Sequence, residues 1–248
     1  MPDTVTPFEM LPAGCHSPRS EWPWRLALPE ARFSALCFET QTLCDANLGD
    51  WELALPDRLT TAAAKRRAEF LGGRLTARRA LAALTGSPST PAQDAEQLPD
   101  WPAGTVGSIT HSRGLAAAVV ANRAAYQGVG LDAEVVMSGE RARRLAAQIL
   151  VASELAWLDR LPAERQGEFL TLVFSLKESL FKALYPLVGQ RFYFPHARLI
   201  DWDAEAGAVS IELLKTLSAQ WPAGAQLSGQ VAKIDGYLMT LIAVPSRS

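Results

Sequence analysis

The chain has 248 residues, 48% of them hydrophobic and 20% charged, with a formal net charge of −2 at pH 7. That is the composition of a globular protein able to bury a sizeable core, in one large domain or two small ones. It excludes a global electrostatic case for nucleic acid or an anionic membrane, so any anion-binding site must be a local cluster. Three cysteines, Cys15, Cys37 and Cys44, form no CxxC pair and leave an odd count. This argues against a disulfide framework or a zinc site and suits a reduced, cytoplasmic setting. The N-terminus carries Pro2, Asp3, Pro7, Glu9 and Pro12 where a signal peptide would need a basic start and an apolar run. No stretch approaches the roughly 20 apolar residues of a membrane span.

In chain order, residues 1–25 are rich in Pro and Trp, show no period, and read as an ordered or semi-ordered arm. Residues 32–39 alternate like a strand. Residues 58–84 are a strongly helical region in which Gly72 and Gly73 mark a kink or a close approach. Pro88, Pro91, Pro99 and Pro102 make 86–102 a loop. A short polar segment, Gly107–Ser112, precedes an apolar strand at 115–121, and 129–136 is another strand. Helices are predicted over 140–160 and 168–185, and final strands over 208–214 and 230–244. The order is mixed α+β with no regular βαβ alternation. A helix followed by apolar strands occurs twice, which suggests two similar halves, 1–125 and 126–248.

Three clusters carry candidate chemistry. In the strand Gly130-Leu131-Asp132-Ala133-Glu134, alternate side chains share a face. Asp132 and Glu134 therefore sit side by side, either as solvated acids at a strand edge or joined by a hard divalent ion such as Mg²⁺ with oxygen ligands. In Phe174-Ser175-Leu176-Lys177-Glu178-Ser179-Leu180-Phe181-Lys182, Glu178 and Lys182 lie one helical turn apart, the spacing of an ordinary surface ion pair. His111, one of three histidines, lies among the hydroxyls of Ser108 and Thr110, as a structural histidine or a phosphate contact. The basic helix offers the same choice. Arg67, Arg74 and Arg78 lie roughly on one face, with Arg66 turned off it, as a solvated face or as forks for a phosphate.

Taken together, four segments in order resemble the motifs of the 4′-phosphopantetheinyl transferases. They are Arg66-Arg67-Ala68-Glu69-Phe70-Leu71-Gly72-Gly73-Arg74, the run from Trp101-Pro102 to Thr110-His111-Ser112, Gly130-Leu131-Asp132-Ala133-Glu134, and Phe174 to Pro186. The resemblance covers about residues 60–190 and is nearest to the Sfp-type branch that includes enterobactin synthetase component D. It implies a cytoplasmic monomer of two α+β halves related by pseudo-twofold symmetry, with the active site in the cleft between them. The implied reaction moves 4′-phosphopantetheine from coenzyme A to a serine of an acyl or peptidyl carrier protein and releases adenosine 3′,5′-bisphosphate. The implied partners are the apo carrier protein and coenzyme A, with no nucleic acid and no membrane.

Position by position, the resemblance makes Asp132, Glu134 and Glu178 the Mg²⁺ ligands. It puts Arg66, Arg74, Thr110 and His111 on phosphates of coenzyme A, the ribose 3′-phosphate among them. Lys182 would sit on the pyrophosphate, Lys177 would support the site, and Glu178 and Lys182 would be catalytic. The sequence departs from the pattern at 94–100, which is acidic where members often carry a basic residue, and at Ala133, where an aliphatic is usual. Two other readings use the same residues. A Mg²⁺-dependent nucleotide phosphohydrolase leaves the basic helix unexplained, and a non-catalytic coenzyme A or carrier-binding module leaves the intact acids and Lys182 unexplained.

Overall fold

The structure, a computed structural model, describes residues 10–247. The fold is α+β. The described residues up to Trp22 cluster with Pro29–Asn122, and Pro23–Leu28 with the residues from Arg123 onward, as two compact units.

In the first unit, β1 (Cys15–Arg19), β2 (Ala31–Phe38), β5 (Thr105–Ser112) and β6 (Leu115–Asn122) form an antiparallel sheet in the order β1-β2-β6-β5. Two short helices, α1 (Thr40–Asp45) and α2 (Asp57–Thr60), precede the long α3 (Ala64–Thr85), and a small hairpin, β3 (Ala92–Gln93) and β4 (Pro99–Asp100), follows it. The part of the expected arm over 1–9 lies outside the described residues, while its Cys15–Arg19 stretch is a strand paired to β2. The helical region 58–84 divides at 61–63. Gly72 and Gly73 do not interrupt α3. A Cβ at Gly72 would stand 3.0 Å from the Phe38 ring, and one at Gly73 would stand 2.7 Å from Ile109 Cγ2, so these glycines let the helix lie close on the sheet. Gly107–Ser112, expected as a short polar segment, belongs to β5. Its hydroxyls at Ser108, Thr110 and Ser112 alternate along the strand and are all buried.

In the second unit, β7 (Tyr126–Val135), β8 (Ala197–Asp203), β9 (Ala208–Leu213), β10 (Gln226–Ile234) and β11 (Tyr237–Pro245) form an antiparallel sheet in the order β7-β11-β10-β9-β8. Three helices, α4 (Gly139–Ile149), α5 (Ala152–Arg160) and α6 (Ala163–Val188), lie between β7 and β8 in the chain. The expected continuous helix over 140–160 breaks at Leu150 and Val151, both extended, and the Val151 N–H donates to the Glu154 carboxylate (2.9 Å). Strand β8 has no counterpart in the sequence reading. Its apolar residues fall at Ala197, Leu199, Ile200 and Trp202, so the alternation slips at Ile200, where the pairing with β9 is also irregular.

The core of this unit is built on α6. Phe169, Leu172, Val173, Leu176, Leu180 and Leu184 are fully buried in one apolar cluster with Leu238 and Ile242 of β11. Strand β7 runs beneath α6, and the fit there leaves no room for side chains. A Cβ at Gly130 would overlap the Ser179 carbonyl oxygen and stand 2.7 Å from the Ala183 amide nitrogen, and a Cβ at Gly128 would stand 2.5 Å from the Ala183 carbonyl oxygen. Both obstacles are backbone, which cannot rotate away. Next to this contact a buried hydroxyl set fixes the register. Ser175 Oγ and Ser179 Oγ lie 2.9 and 2.8 Å from Thr240 Oγ1, and Ser179 Oγ donates to the Thr240 carbonyl (3.0 Å). No helix among the described residues is long and apolar enough to cross a membrane.

Gly130→Ala is expected to lower stability by about 3 kcal/mol or more, because overpacking against backbone must push α6 off the sheet. Gly224→Ala, where nothing lies within 4 Å and only the positive φ is strained, is expected to cost about 1–2 kcal/mol. Urea midpoints of the two variants check the ranking.

Candidate active site

In the second unit the close fit of α6 on β7 brings the acid pair to the helix. Gly130, Asp132 and Glu134 share the face of β7 that meets α6. Asp132 is 5% exposed, and Lys182 Nζ donates to its Oδ1 (2.7 Å) and to the Leu131 carbonyl (2.9 Å). Lys182 thus forms its ion pair across elements with Asp132, and the bland i,i+4 surface pair with Glu178 is not among the ion pairs of the described residues. Glu178 is nevertheless close to both. Burial pushes its carboxyl above the usual range, the Lys182 ammonium pulls it down, and the Asp132 carboxylate pushes it up again. Asp132, Lys182 and Glu178 therefore form one electrostatic unit.

Of the three acids expected to hold Mg²⁺, Asp132 and Glu178 are close enough to interact. Among the described residues no group of three or more His, Cys, Asp or Glu side chains is arranged to hold a metal ion. Glu134 sits one pleat beyond Asp132 on the same face, and Lys182 already occupies one oxygen of Asp132. Lys177, expected to support the site, is turned inward. Its ammonium donates to the Ile149 carbonyl (2.9 Å) and to Glu154 (2.7 Å), with side-chain exposures of 2% for Lys177 and 0% for Glu154. Glu154 also accepts from the N–H groups of Val151 (2.9 Å) and Leu199 (2.7 Å), so the pair ties α4, α5 and β8 to α6. Burial lowers the Lys177 pKa while Glu154 raises it. Breaking such a buried pair typically costs about 3–5 kcal/mol, and Lys177 belongs to the framework behind Glu178.

Beside Glu178 opens a pocket of about 180 Å³ walled by Phe181, Arg191, Phe192, Tyr193 and Phe194. Phe181 stacks on Tyr185 at 4.9 Å and meets Phe192 at 5.3 Å, and Phe174 meets Phe194 at 5.5 Å. The sequence reading gave none of these residues a role. The aromatic run Phe192-Tyr193-Phe194 directly after a helix end was the available signal.

In the first unit, His111 and Ile109 project from β5 toward α3. His111 Nε2 lies 3.3 Å from Arg66 Nη1, and its Nδ1 lies 3.7 Å from Glu69 Oε1. Nε2 then accepts from the guanidinium and Nδ1 carries the proton toward Glu69, a tautomer assigned from these partners. Arg66 and His111 are thus brought together, on side chains 51% and 32% exposed. Glu69, unassigned by sequence, joins them. Thr110 lies on the opposite face of β5, 2% exposed, and is not part of this group. Arg74 is separate as well. It is buried over the Phe70 ring (4.8 Å) and donates to the Ala92 carbonyl (3.2 Å), while its buried Nε makes no hydrogen bond among the described residues. Burial, and the nearby Arg58 charge, push its pKa down to about 10. The acidic segment 94–100 forms the turn and the second strand of the β3–β4 hairpin. Asp94 Oδ1 accepts from the N–H groups of Glu96 and Leu98, so its carboxylate is used in holding the turn.

Comparisons with known proteins agree with this layout. Residues 55–121 match the family model described as the 4′-phosphopantetheinyl transferase N-terminal domain, and residues 128–242 match that of the 4′-phosphopantetheinyl transferase superfamily. The chain therefore belongs to the 4′-phosphopantetheinyl transferase superfamily. It is 37% identical to the 4′-phosphopantetheinyl transferase Svp of Streptomyces mobaraensis over 184 residues, 73% of each chain. It is 40% identical to enterobactin synthase component D of Salmonella typhimurium over 129 residues, 51% of this chain and 52% of that one. With the 4′-phosphopantetheinyl transferase PptT of Mycobacterium tuberculosis it shares 36% identity over 140 residues, 55% of this chain and 59% of that one.

The Glu178 environment has a consequence for stability. A carboxyl whose pKa is raised by folding stabilises the fold fully below its unfolded value of 4.5 and loses that contribution as pH rises through the folded value. Without added metal, Glu178→Gln is therefore expected to melt at a higher temperature than the parent at pH 7, with the difference closing below pH 4.5. Thermal melts across that range check the sign.

Proposed function

We propose that the protein transfers 4′-phosphopantetheine from coenzyme A to a serine hydroxyl of an acyl or peptidyl carrier protein and releases adenosine 3′,5′-bisphosphate. The observation that carries this reading is Lys182 paired with Asp132 and near the desolvated carboxyl of Glu178, beside an aromatic pocket, in a chain of this superfamily. Asp132 and Glu178 offer oxygen donors only, on a strand and a helix locked together, and they raise one another's energy as neighbouring anions. That donor set suits Mg²⁺, which is commonly bound by one or two carboxylates together with substrate phosphates. When bound, Mg²⁺ would supply Lewis-acid neutralisation of the pyrophosphate.

The chain's own residues then have distinct tasks. Glu178 takes the proton of the attacking serine. Burial suits it to this, since a carboxyl with a raised pKa is a stronger base than an exposed one. The serine oxygen forms a bond to the β-phosphorus of the donor as the bond to the bridging oxygen breaks, and the released adenosine 3′,5′-bisphosphate carries the charge away. Lys182 places a fixed positive charge on that leaving group. The pocket walled by Phe181, Phe192 and Phe194 would take the pantetheine arm. Arg66 and His111 would hold a phosphate of coenzyme A. Arg74 would do so too, because an anion would offset its proximity to Arg58 and satisfy its buried N–H.

Intact-mass spectrometry of apo carrier proteins incubated with the enzyme, coenzyme A and Mg²⁺ tests the proposal. Each substrate is expected to gain the mass of one phosphopantetheinyl group, and the gain is expected to vanish when EDTA is added. Hydrolysis of the donor with no carrier modified would favour a phosphohydrolase.

A further inference from the structure

The aromatic pocket of the second unit has a direction. Helix α6 ends at Val188, and Gly189, at a φ of 63°, turns the chain back on it. The returning segment runs antiparallel to α6, as its ring contacts show in order. The Arg191 guanidinium lies 5.6 Å from the centre of the Tyr185 ring, Phe192 meets Phe181 at 5.3 Å, and Phe194 meets Phe174 at 5.5 Å. Glu178 falls between the last two levels. Tyr185 stands two helical turns beyond it, about 10 Å along α6. Toward Phe174 the wall is made of buried groups. Ala197 is 2% exposed, and the Lys177 ammonium is taken up by Glu154 and the Ile149 carbonyl. In the other direction the pocket reaches solvent at Arg191, and Tyr193 on its rim is 64% exposed.

Arg191 is the outward cation of this wall. No acid pairs with it among the described residues. Its position is set by an aromatic face instead. Tyr185, under the guanidinium, is itself buried and stacked on Phe181. A guanidinium held through its face keeps its in-plane N–H donors for another partner, and their fork matches a carboxylate. Between Glu178 and Arg191 the wall is Leu180, Phe181 and Phe192, all apolar. A ligand lying along the pocket therefore meets an acid at the Glu178 level, an apolar stretch, and then a cation at the mouth.

We propose that Arg191 makes the donor site selective, favouring coenzyme A thioesters whose acyl group ends in a carboxylate over thioesters of neutral acyl groups. The inference rests on the transferase reading, with the pantetheine arm in this pocket, and extends it. The phosphorus end of the arm must lie at Glu178, where the serine gives up its proton. The sulfur end then points along the apolar stretch to the mouth, and whatever the sulfur carries arrives beside Arg191. The thioester takes no part in the transfer. The serine oxygen still bonds to the β-phosphorus as the bond to the bridging oxygen breaks, the proton still passes to Glu178, and the acylated arm reaches the carrier whole. A terminal carboxylate can pair with the guanidinium, whereas a terminal methyl group leaves it to water.

The test compares succinyl-coenzyme A with butyryl-coenzyme A, whose acyl groups have equal carbon counts, as donors to one apo carrier protein, with the intact mass of the carrier as the readout. The quantity read is the ratio of kcat/KM for the two donors within each protein, so a general loss of activity in a variant cancels. The parent is expected to favour the succinyl donor about three- to fivefold, the size an exposed ion pair supplies. Arg191→Ala is expected to bring the ratio to about one, Arg191→Glu to invert it, and Arg191→Lys to keep it in favour of the succinyl donor. Raising salt is expected to shrink the parent's ratio. Equal use of the two donors by the parent overturns the proposal, as does a preference that survives in Arg191→Ala. Transfer from free coenzyme A but from neither thioester overturns it too, because the sulfur end of the arm is then enclosed. A parent that modifies no carrier from any donor overturns the transferase reading instead, and the selectivity with it.

Discussion

Everything at the candidate centre depends on how near α6 comes to β7. Helices usually pack on sheets through their side chains, and two carboxylates on the covered face would normally hold them apart. Here Gly128 and Gly130 remove the side chains at the crossing, and the backbone of residues 179–183 fills the space. Ser175, Ser179 and Thr240 then close the gap with buried hydroxyl hydrogen bonds. This is why Lys182 reaches both Asp132 and the Leu131 carbonyl. A shift of an ångström along the helix would dissolve the arrangement, so packing and chemistry are under one constraint.

The charges on this framework are unequally satisfied. Glu154 and Lys177 are deeply buried and supported by backbone partners on every side, and they hold the helix ends and the start of β8 in place. Glu178, the next residue along α6, is left desolvated and only partly compensated. Adjacent residues of one helix thus differ in setting, Lys177 tied to Glu154 in the framework and Glu178 at the pocket, where the proposed reaction would use it. Perturbed carboxyls in clefts are where catalytic function concentrates, because a group that is costly in the resting state has more to gain from a cation or a proton.

Much of this was legible in the sequence. The lack of Gly and Pro over 168–185 marked α6, alternation marked β7, and the ordered motifs identified the family. The contact of Arg66 with His111 follows from segments the motifs already named. Other parts were not legible, for physical reasons. The Gly107–Ser112 strand hid because its buried residues are hydroxyl-bearing, so hydropathy gave no period. That also concealed the separation of Thr110 from His111 to opposite faces. The break at Leu150–Val151 was invisible because apolar spacing continues across it, and what starts the new helix is a local cap, the Glu154 carboxylate accepting the Val151 N–H three residues back. The supporting place of Lys177 was legible from its motif, but its partners, Glu154 and the Ile149 carbonyl, come from elements that only the fold brings to α6. The pocket is assembled from α6 and a loop that only the fold brings beside it.

The central claim is that Asp132, Glu178 and Lys182 act together in transfer. Its most direct measurement is the rate of carrier modification as Mg²⁺ is titrated, for the parent, Glu178→Gln and Lys182→Met. If Glu178 is the base, its Gln variant keeps a deficit of about 10²–10⁴ at saturating Mg²⁺. Lys182→Met is expected to lose rate with little change in the Mg²⁺ requirement. Parental rates from Glu178→Gln at low Mg²⁺ would contradict the account, leaving Glu178 a buried acid with no part in the reaction.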